Sequence, residues 1–77
     1  MKEKIKKVIA SVFKIDKDSI TDDFNQQNFE KWDSLQHINI VVALEEEFNI
    51  SIEPDEIIEI VSIQKIEEVI KRKNLQR

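Results

Sequence analysis

Cysteine is absent from this chain, and so is glycine. Without cysteine there is no disulfide framework, no thiolate metal site and no cysteine nucleophile, and we expect a protein of the cytoplasm. With no glycine and one proline in 77 residues, the chain lacks the residues that primed-turn hairpins and Gly-rich phosphate loops require. These absences leave a mostly helical domain as the expected fold.

Long apolar runs are also missing. The longest unbroken run, Ile40 to Leu44, is far shorter than the roughly 20 residues that a membrane-spanning helix needs. The amino terminus alternates lysine with isoleucine instead of presenting a signal core. We therefore expect no membrane partner. A chain of 77 residues has room for one core, so a single domain over 1–77 is predicted and a large active-site architecture is excluded.

The net charge of −4 is unevenly distributed. Residues 1–14 carry five lysines and one glutamate, and residues 65–77 carry five basic and two acidic side chains. The centre, 15–64, has 13 acidic residues and two lysines. We therefore expect the functional site in this acidic centre. The alternative is that these acids only keep the outer faces of helices solvated. The aromatic residues do not interleave with the basic ones, and we expect no nucleic-acid partner.

Hydrophobic periodicity predicts a first helix from about Lys2 to Lys14. The segment from Ile15 to Asp33 has no sustained period and is predicted as a long loop, which either wraps over the core through its aromatic residues or includes a short helical turn. The residues of the first helix that should face inward are Ile5, Val8, Ile9, Val12 and Phe13, and those that should face water are Lys4, Lys6 and Lys7.

Two further helices are predicted near the carboxyl end. Pro54 suits the first turn of a short helix ending near Ile60. Ser62 is a plausible N-cap for a last helix reaching about Lys73. The residues of this last helix that should face inward are Ile63, Ile66, Val69 and Ile70.

The helix predicted from Ser34 to Phe48 is unusual because it carries two apolar stripes. At helical spacing, one stripe contains Ile40, Val41, Leu44 and Phe48, and the other contains Leu35, Ile38 and Val42. One stripe can pack on the first helix. The other is either an interaction surface, with Glu45 and Glu46 as an acidic border, or is covered by the long loop.

Five short segments are distinctive enough to compare with known protein families. They are Asp33-Ser34-Leu35, Leu44-Glu45-Glu46-Glu47-Phe48, Ile50-Ser51-Ile52, Pro54-Asp55-Glu56 and Ser62-Ile63. Together they closely resemble the acyl carrier protein family over nearly the whole chain. The resemblance implies an all-α, four-helix bundle with a long loop between the first and second helices and a short third helix.

The resemblance also implies a covalent site. Ser34 would carry 4′-phosphopantetheine, transferred from coenzyme A by a separate phosphopantetheinyl transferase, and its thiol would hold an acyl or aminoacyl group as a thioester. Asp33 and Leu35 flank that site, and the protein itself would be a monomeric carrier without catalytic or metal-binding residues. A phosphodiester at the first turn of a helix is favoured by the helix dipole. Asp33 as N-cap with Gln36 at N3, a variant of the capping box, is a compatible structural role, with Ser34 as the alternative cap.

In the family, the face beside the attachment serine docks on basic patches around the active sites of acyl-loading and acyl-transferring enzymes. Here the resemblance assigns that role to the apolar stripe and to acidic side chains near it, where charge would steer encounter and apolar contact would hold the complex. The residues concerned are Leu35, Ile38, Val42, Asp33, Glu45 and Glu46.

His37 and Trp32 have more than one interpretation. A serine with a neighbouring histidine is also how hydrolases activate a hydroxyl, but no third group and no glycine-containing elbow accompanies His37. We expect His37 to be partly buried under the loop, with a contact to the arm or cargo as the alternative. Trp32 either anchors the loop or serves as a docking aromatic.

The chain departs from many fatty-acid carriers next to the serine. Lys31 and Trp32 precede the Asp-Ser-Leu segment, Gln36 and His37 follow it, and Asn39 stands where an acid is frequent. These differences favour a specialised discrete carrier, in a polyketide, aminoacyl or surface-polysaccharide pathway, over the housekeeping fatty-acid synthase. A carrier-like interaction module that is never modified is the alternative function.

Overall fold

The computed structural model describes residues 1–75, and four α-helices account for most of them. They are α1 (Lys2–Phe13), α2 (Ser34–Phe48), α3 (Pro54–Glu59) and α4 (Ile63–Leu75). The expected all-α bundle with a short third helix is confirmed, with α1 and α3 each one residue shorter than predicted. The single domain predicted over 1–77 extends beyond the described residues and stays a prediction. No helix within 1–75 is both long and apolar enough to cross a membrane.

Two helices end in a left-handed residue, although the chain has no glycine for that position. Lys14 follows α1 with φ 58°, and its N–H donates to the carbonyl of Ala10. Asn49 follows α2 with φ 53°, and its N–H donates to the carbonyl of Glu45. Asparagine adopts this conformation more readily than lysine, because its short polar side chain forms local hydrogen bonds. Lys14 is therefore the more strained of the two helix ends.

The long connection between α1 and α2 combines both predicted possibilities. It contains two single 3-10 turns, Lys17–Ser19 and Gln26–Asn28. Its aromatic side chains also fold over the core: Phe29 packs edge-on against Phe13 with ring centroids 4.7 Å apart, and Trp32 is only 3% exposed. The interpretation of Trp32 as the residue that anchors the loop is confirmed.

The buried side chains form one apolar cluster to which α1, α2 and α4 contribute, and partly buried Ile57 of α3 packs against it. The most extensive helix packing is between α1 and α2, α1 and α4, and α3 and α4. All residues of α4 that were predicted to face inward are buried, and in α1 only Val12 is less than fully buried. The prediction that Lys6 faces water was wrong. Its side chain is 15% exposed because it pairs with Asp22 at 2.6 Å, and the hydrogen bond from Lys6 lowers the pKa of that carboxyl group.

Two ion pairs fasten α3 to α4. Lys73 Nζ lies 2.6 Å from Glu56 Oε1, with both side chains largely buried, and Arg72 lies 3.1 Å from Glu59 Oε2. Burial alone would raise the pKa of Glu56, but the hydrogen bonds from Lys73 and from the Glu53 backbone, with the charge of Lys73, outweigh it and the net pKa is lowered. The carboxylate form of Glu56 is thus the form that the fold stabilises.

Candidate functional site

The amino end of α2 is organised by Asp33. Its backbone is extended, and its carboxylate Oδ1 accepts a hydrogen bond from the Gln36 N–H at 2.9 Å. The predicted N-cap is therefore confirmed. The reciprocal bond of a capping box is not formed, because the Asp33 N–H donates to the Lys31 carbonyl and Gln36 Oε1 accepts from Asn39. Ser34 is the first helical residue and is exposed to solvent. Because Asp33 provides the cap, the Ser34 hydroxyl is not needed for that purpose.

The surroundings of Ser34 suit a negatively charged substituent on its oxygen. The first-turn N–H groups of Ser34 and Leu35 have no intrahelical acceptor, and the amino end of a 15-residue helix carries a partial positive charge. Lys31 is exposed three residues before Ser34. A phosphate ester on this hydroxyl would reach solvent without displacing any buried side chain. The residues present thus fit the phosphate end of a phosphopantetheine arm.

The two stripes of α2 differ sharply in exposure. Ile40 and Leu44 are completely buried, whereas Leu35 is 71%, Ile38 50% and Val42 47% exposed. The long loop does not cover the second stripe, which lies on the same side of α2 as Ser34 by helical spacing. Its role in docking stays a prediction, but its exposure supports the interaction surface over the covered face.

The acidic residues predicted as a border to this stripe are not equivalent. Glu45 is half-buried, and its Oε2 accepts a hydrogen bond at 2.8 Å from the Ile52 N–H in the connection between α2 and α3. Glu46 is exposed and lies along a groove between α1 and α2, together with Lys7. Glu45 therefore has a structural contact that the sequence pattern did not reveal, while the docking role of both residues stays a prediction.

Sequence reasoning missed Ile58. This residue of α3 is 77% exposed, more than any other large apolar side chain within residues 1–74. Its neighbour Ile57 packs against the core. Adjacent residues point about 100° apart around a helix, and the short α3 meets the core through Ile57 while Ile58 faces solvent. Consecutive apolar residues are both buried elsewhere in the fold, as at Val69 and Ile70, so no sequence signal distinguished Ile58.

His37 connects three parts of the fold. It is partly buried, as expected, and its Nδ1 accepts a hydrogen bond at 3.0 Å from the indole N–H of Trp32. Its Nε2 lies 2.6 Å from the Ile57 carbonyl oxygen in α3. Both ring nitrogens are thus engaged by groups other than Ser34, and the serine–histidine pair that a hydrolase needs is not formed. Among residues 1–75, no group of three or more His, Asp or Glu side chains is arranged to hold a metal ion.

Comparisons with known proteins agree with this geometry. The family model described as "Phosphopantetheine attachment site" matches residues 3–70. The acyl carrier protein of Buchnera aphidicola subsp. Acyrthosiphon pisum (strain APS) is 35% identical over 77 residues, which is 100% of this chain and 96% of that protein. That of Guillardia theta is 35% identical over 71 residues, covering 92% and 88%. That of Lactobacillus acidophilus is 43% identical over 53 residues, covering 69% and 66%.

Proposed function

We propose that this chain, which belongs to the phosphopantetheine-attachment family of acyl carrier proteins, holds its prosthetic group on Ser34 and passes acyl intermediates between enzymes. The prosthetic group of the family is 4′-phosphopantetheine. The observation that supports Ser34 most strongly is that its hydroxyl is exposed at the first position of α2. Asp33 caps the helix, so the Ser34 hydroxyl is not needed as a cap.

The residues around Ser34 have separate tasks in this proposal. Asp33 fixes the start of α2, and the first-turn N–H groups with the helix dipole favour the phosphate. When attached, the arm supplies a terminal thiol that holds the acyl group as a thioester. The chain contains no cysteine, so the sulfur must come from outside it. A flexible arm on a small folded body raises the effective concentration of cargo at a partner's active site. The protein would then need no catalytic residues of its own.

The partners would be a phosphopantetheinyl transferase and the enzymes that load and unload the arm. Leu35, Ile38 and Val42 supply a small exposed apolar stripe beside Ser34, which suits a complex that must form and dissociate repeatedly. Exposed Glu46 is the better candidate for steering towards a basic patch, because one oxygen of Glu45 is already engaged by Ile52. A monomer in the cytoplasm is the setting we propose.

The pathway we propose is a specialised one. The residues around Asp-Ser-Leu that depart from many fatty-acid carriers form contacts within the fold. Trp32 and His37 are hydrogen-bonded to each other, and the side-chain amide of Asn39 donates to Gln36 Oε1 at 3.0 Å. Because Gln36 and Asn39 are uncharged where many fatty-acid carriers have acids, this part of α2 is less negatively charged. A partner that relies on acids there would recognise the chain poorly, which favours polyketide, aminoacyl or surface-polysaccharide assembly over general fatty-acid synthesis.

Attachment is tested with purified protein, coenzyme A and a broad-specificity phosphopantetheinyl transferase. Intact-mass spectrometry should show the gain of one phosphopantetheinyl group, and Ser34→Ala should abolish it. Ser11→Ala is the matched control, because Ser11 is exposed on α1 and should leave the reaction unchanged. If the folded wild type gains no mass with a transferase that modifies other carriers, the proposal fails, and partner binding through the apolar stripe would then identify an unmodified interaction module.

A further inference from the structure

The imidazole of His37 is the meeting point of the loop, α2 and α3. It lies one turn after Ser34 on the same helix. Trp32, at the end of the loop, donates its indole N–H to Nδ1, and the two ring planes are inclined by 30° with centroids 6.1 Å apart. On the other side, Nε2 lies 2.6 Å from the carbonyl oxygen of Ile57 in α3. One side chain thus joins the segment before Ser34 to the helix that carries exposed Ile58.

These two contacts define the state of the ring. An indole nitrogen only donates, so Nδ1 must be the acceptor and carry no proton. A carbonyl only accepts, so Nε2 must carry the proton. The ring is therefore the neutral Nε2–H tautomer.

We propose that His37 is a positioning residue with two separable links, one to the loop through Trp32 and one to α3 through Ile57. The neutral ring keeps the first turn of α2 in a fixed relation to α3. A partner would then meet the attachment end of α2 and exposed Ile58 as parts of one surface. That functional consequence rests on the proposed attachment at Ser34, whereas the two links do not.

Two substitutions separate the links in the unmodified protein. His37→Asn places an amide oxygen near Nδ1 and keeps an acceptor for Trp32 but does not reach Ile57. His37→Gln places an amide N–H near Nε2 and keeps the donor for Ile57 but gives Trp32 no acceptor. Hydrogen exchange followed by NMR should show that Asn lowers protection of the α3 amides by about threefold to tenfold, and that Gln lowers protection of the Trp32 indole N–H by a similar factor.

The opposite pattern of the two variants supplies a readout that simple packing would not affect, because each variant keeps one link and loses the other. Equal effects of Asn and Gln on both sites would overturn the two links. Ser34→Ala should leave every one of these results unchanged, so failure here is distinct from failure of attachment.

Discussion

The separation of α2 into a buried and an exposed apolar stripe makes a direct prediction about stability. Val42→Glu places a charge in the exposed stripe, and Leu44→Ala removes three carbon atoms from the buried one. Val42 is 47% exposed, so about half of the roughly 1.5 kcal/mol that a fully buried valine contributes is at stake. The methylene groups of glutamate retain part of that contact, and glutamate is the better helix former. We expect a change within about 0.5 kcal/mol.

Leu44 has no exposed surface, so its truncation should cost about 2 to 5 kcal/mol, which includes the cavity left behind. Urea and thermal unfolding followed by circular dichroism at 222 nm measure both variants. In a domain of this size 1 kcal/mol shifts Tm by about 4–8 °C, so Leu44→Ala should lower Tm by at least about 8 °C and Val42→Glu by less than about 4 °C. Ile40→Val, at another completely buried position, is the milder substitute if Leu44→Ala does not fold, with about 0.5 to 1.5 kcal/mol expected.

The reasoning is refuted if Val42→Glu destabilises the protein more than Leu44→Ala, because the two faces would then have been exchanged. The same variant also connects stability with function. Val42→Glu protein that folds normally should bind its partners more weakly than the wild type, because the charge disrupts the apolar stripe without disturbing the core. Full partner affinity in this variant would remove the stripe from the proposed docking surface.

Three other predictions concern the ends of the helices and the contact between α3 and α4. Glu56→Gln should cost about 1–3 kcal/mol at pH 7. Because the folded state lowers the pKa of Glu56, acid titrations of unfolding should show the difference from wild type shrinking as the pH falls below the ordinary 4.5 and disappearing only below the lowered pKa of the folded state. Glu68→Gln, which breaks an exposed pair, should stay within about 0.5 kcal/mol. Lys14→Gly should raise the free energy of unfolding by about 1 kcal/mol in urea melts, since Lys14 is left-handed, and a loss would contradict that backbone. Asp33→Ala should cost about 1 kcal/mol by the same assay and Asp33→Asn much less, and equal losses would argue against the cap.

Local signals were sufficient to predict most of the fold from the sequence. The bounds of α2 follow from Asp33 as a cap and from the break in periodicity after Phe48, and Pro54 and Ser62 mark the starts of the last two helices. The exposed serine at the start of α2 follows from the same cap. These features depend on residues close together in the chain, which is why sequence pattern alone reaches them.

Contacts between distant segments were beyond the sequence. Nothing near Lys6 indicates that Asp22 will pair with it, and nothing near Glu45 indicates the Ile52 N–H. The partners of His37 lie five and 20 residues away, and they are brought together only when the loop folds over the core and α3 packs beside α2. Polar contacts of this kind depend on tertiary geometry that hydrophobic periodicity does not encode.

The identity of the modified residue is tested most directly by the mass of the protein purified from its native host, followed by fragmentation of the peptide that contains Ser34. The account predicts one phosphopantetheinyl group per chain, located on the Ser34 oxygen, with any additional mass reporting the acyl cargo. A chain isolated without that group, or with the group on another serine, would contradict the account.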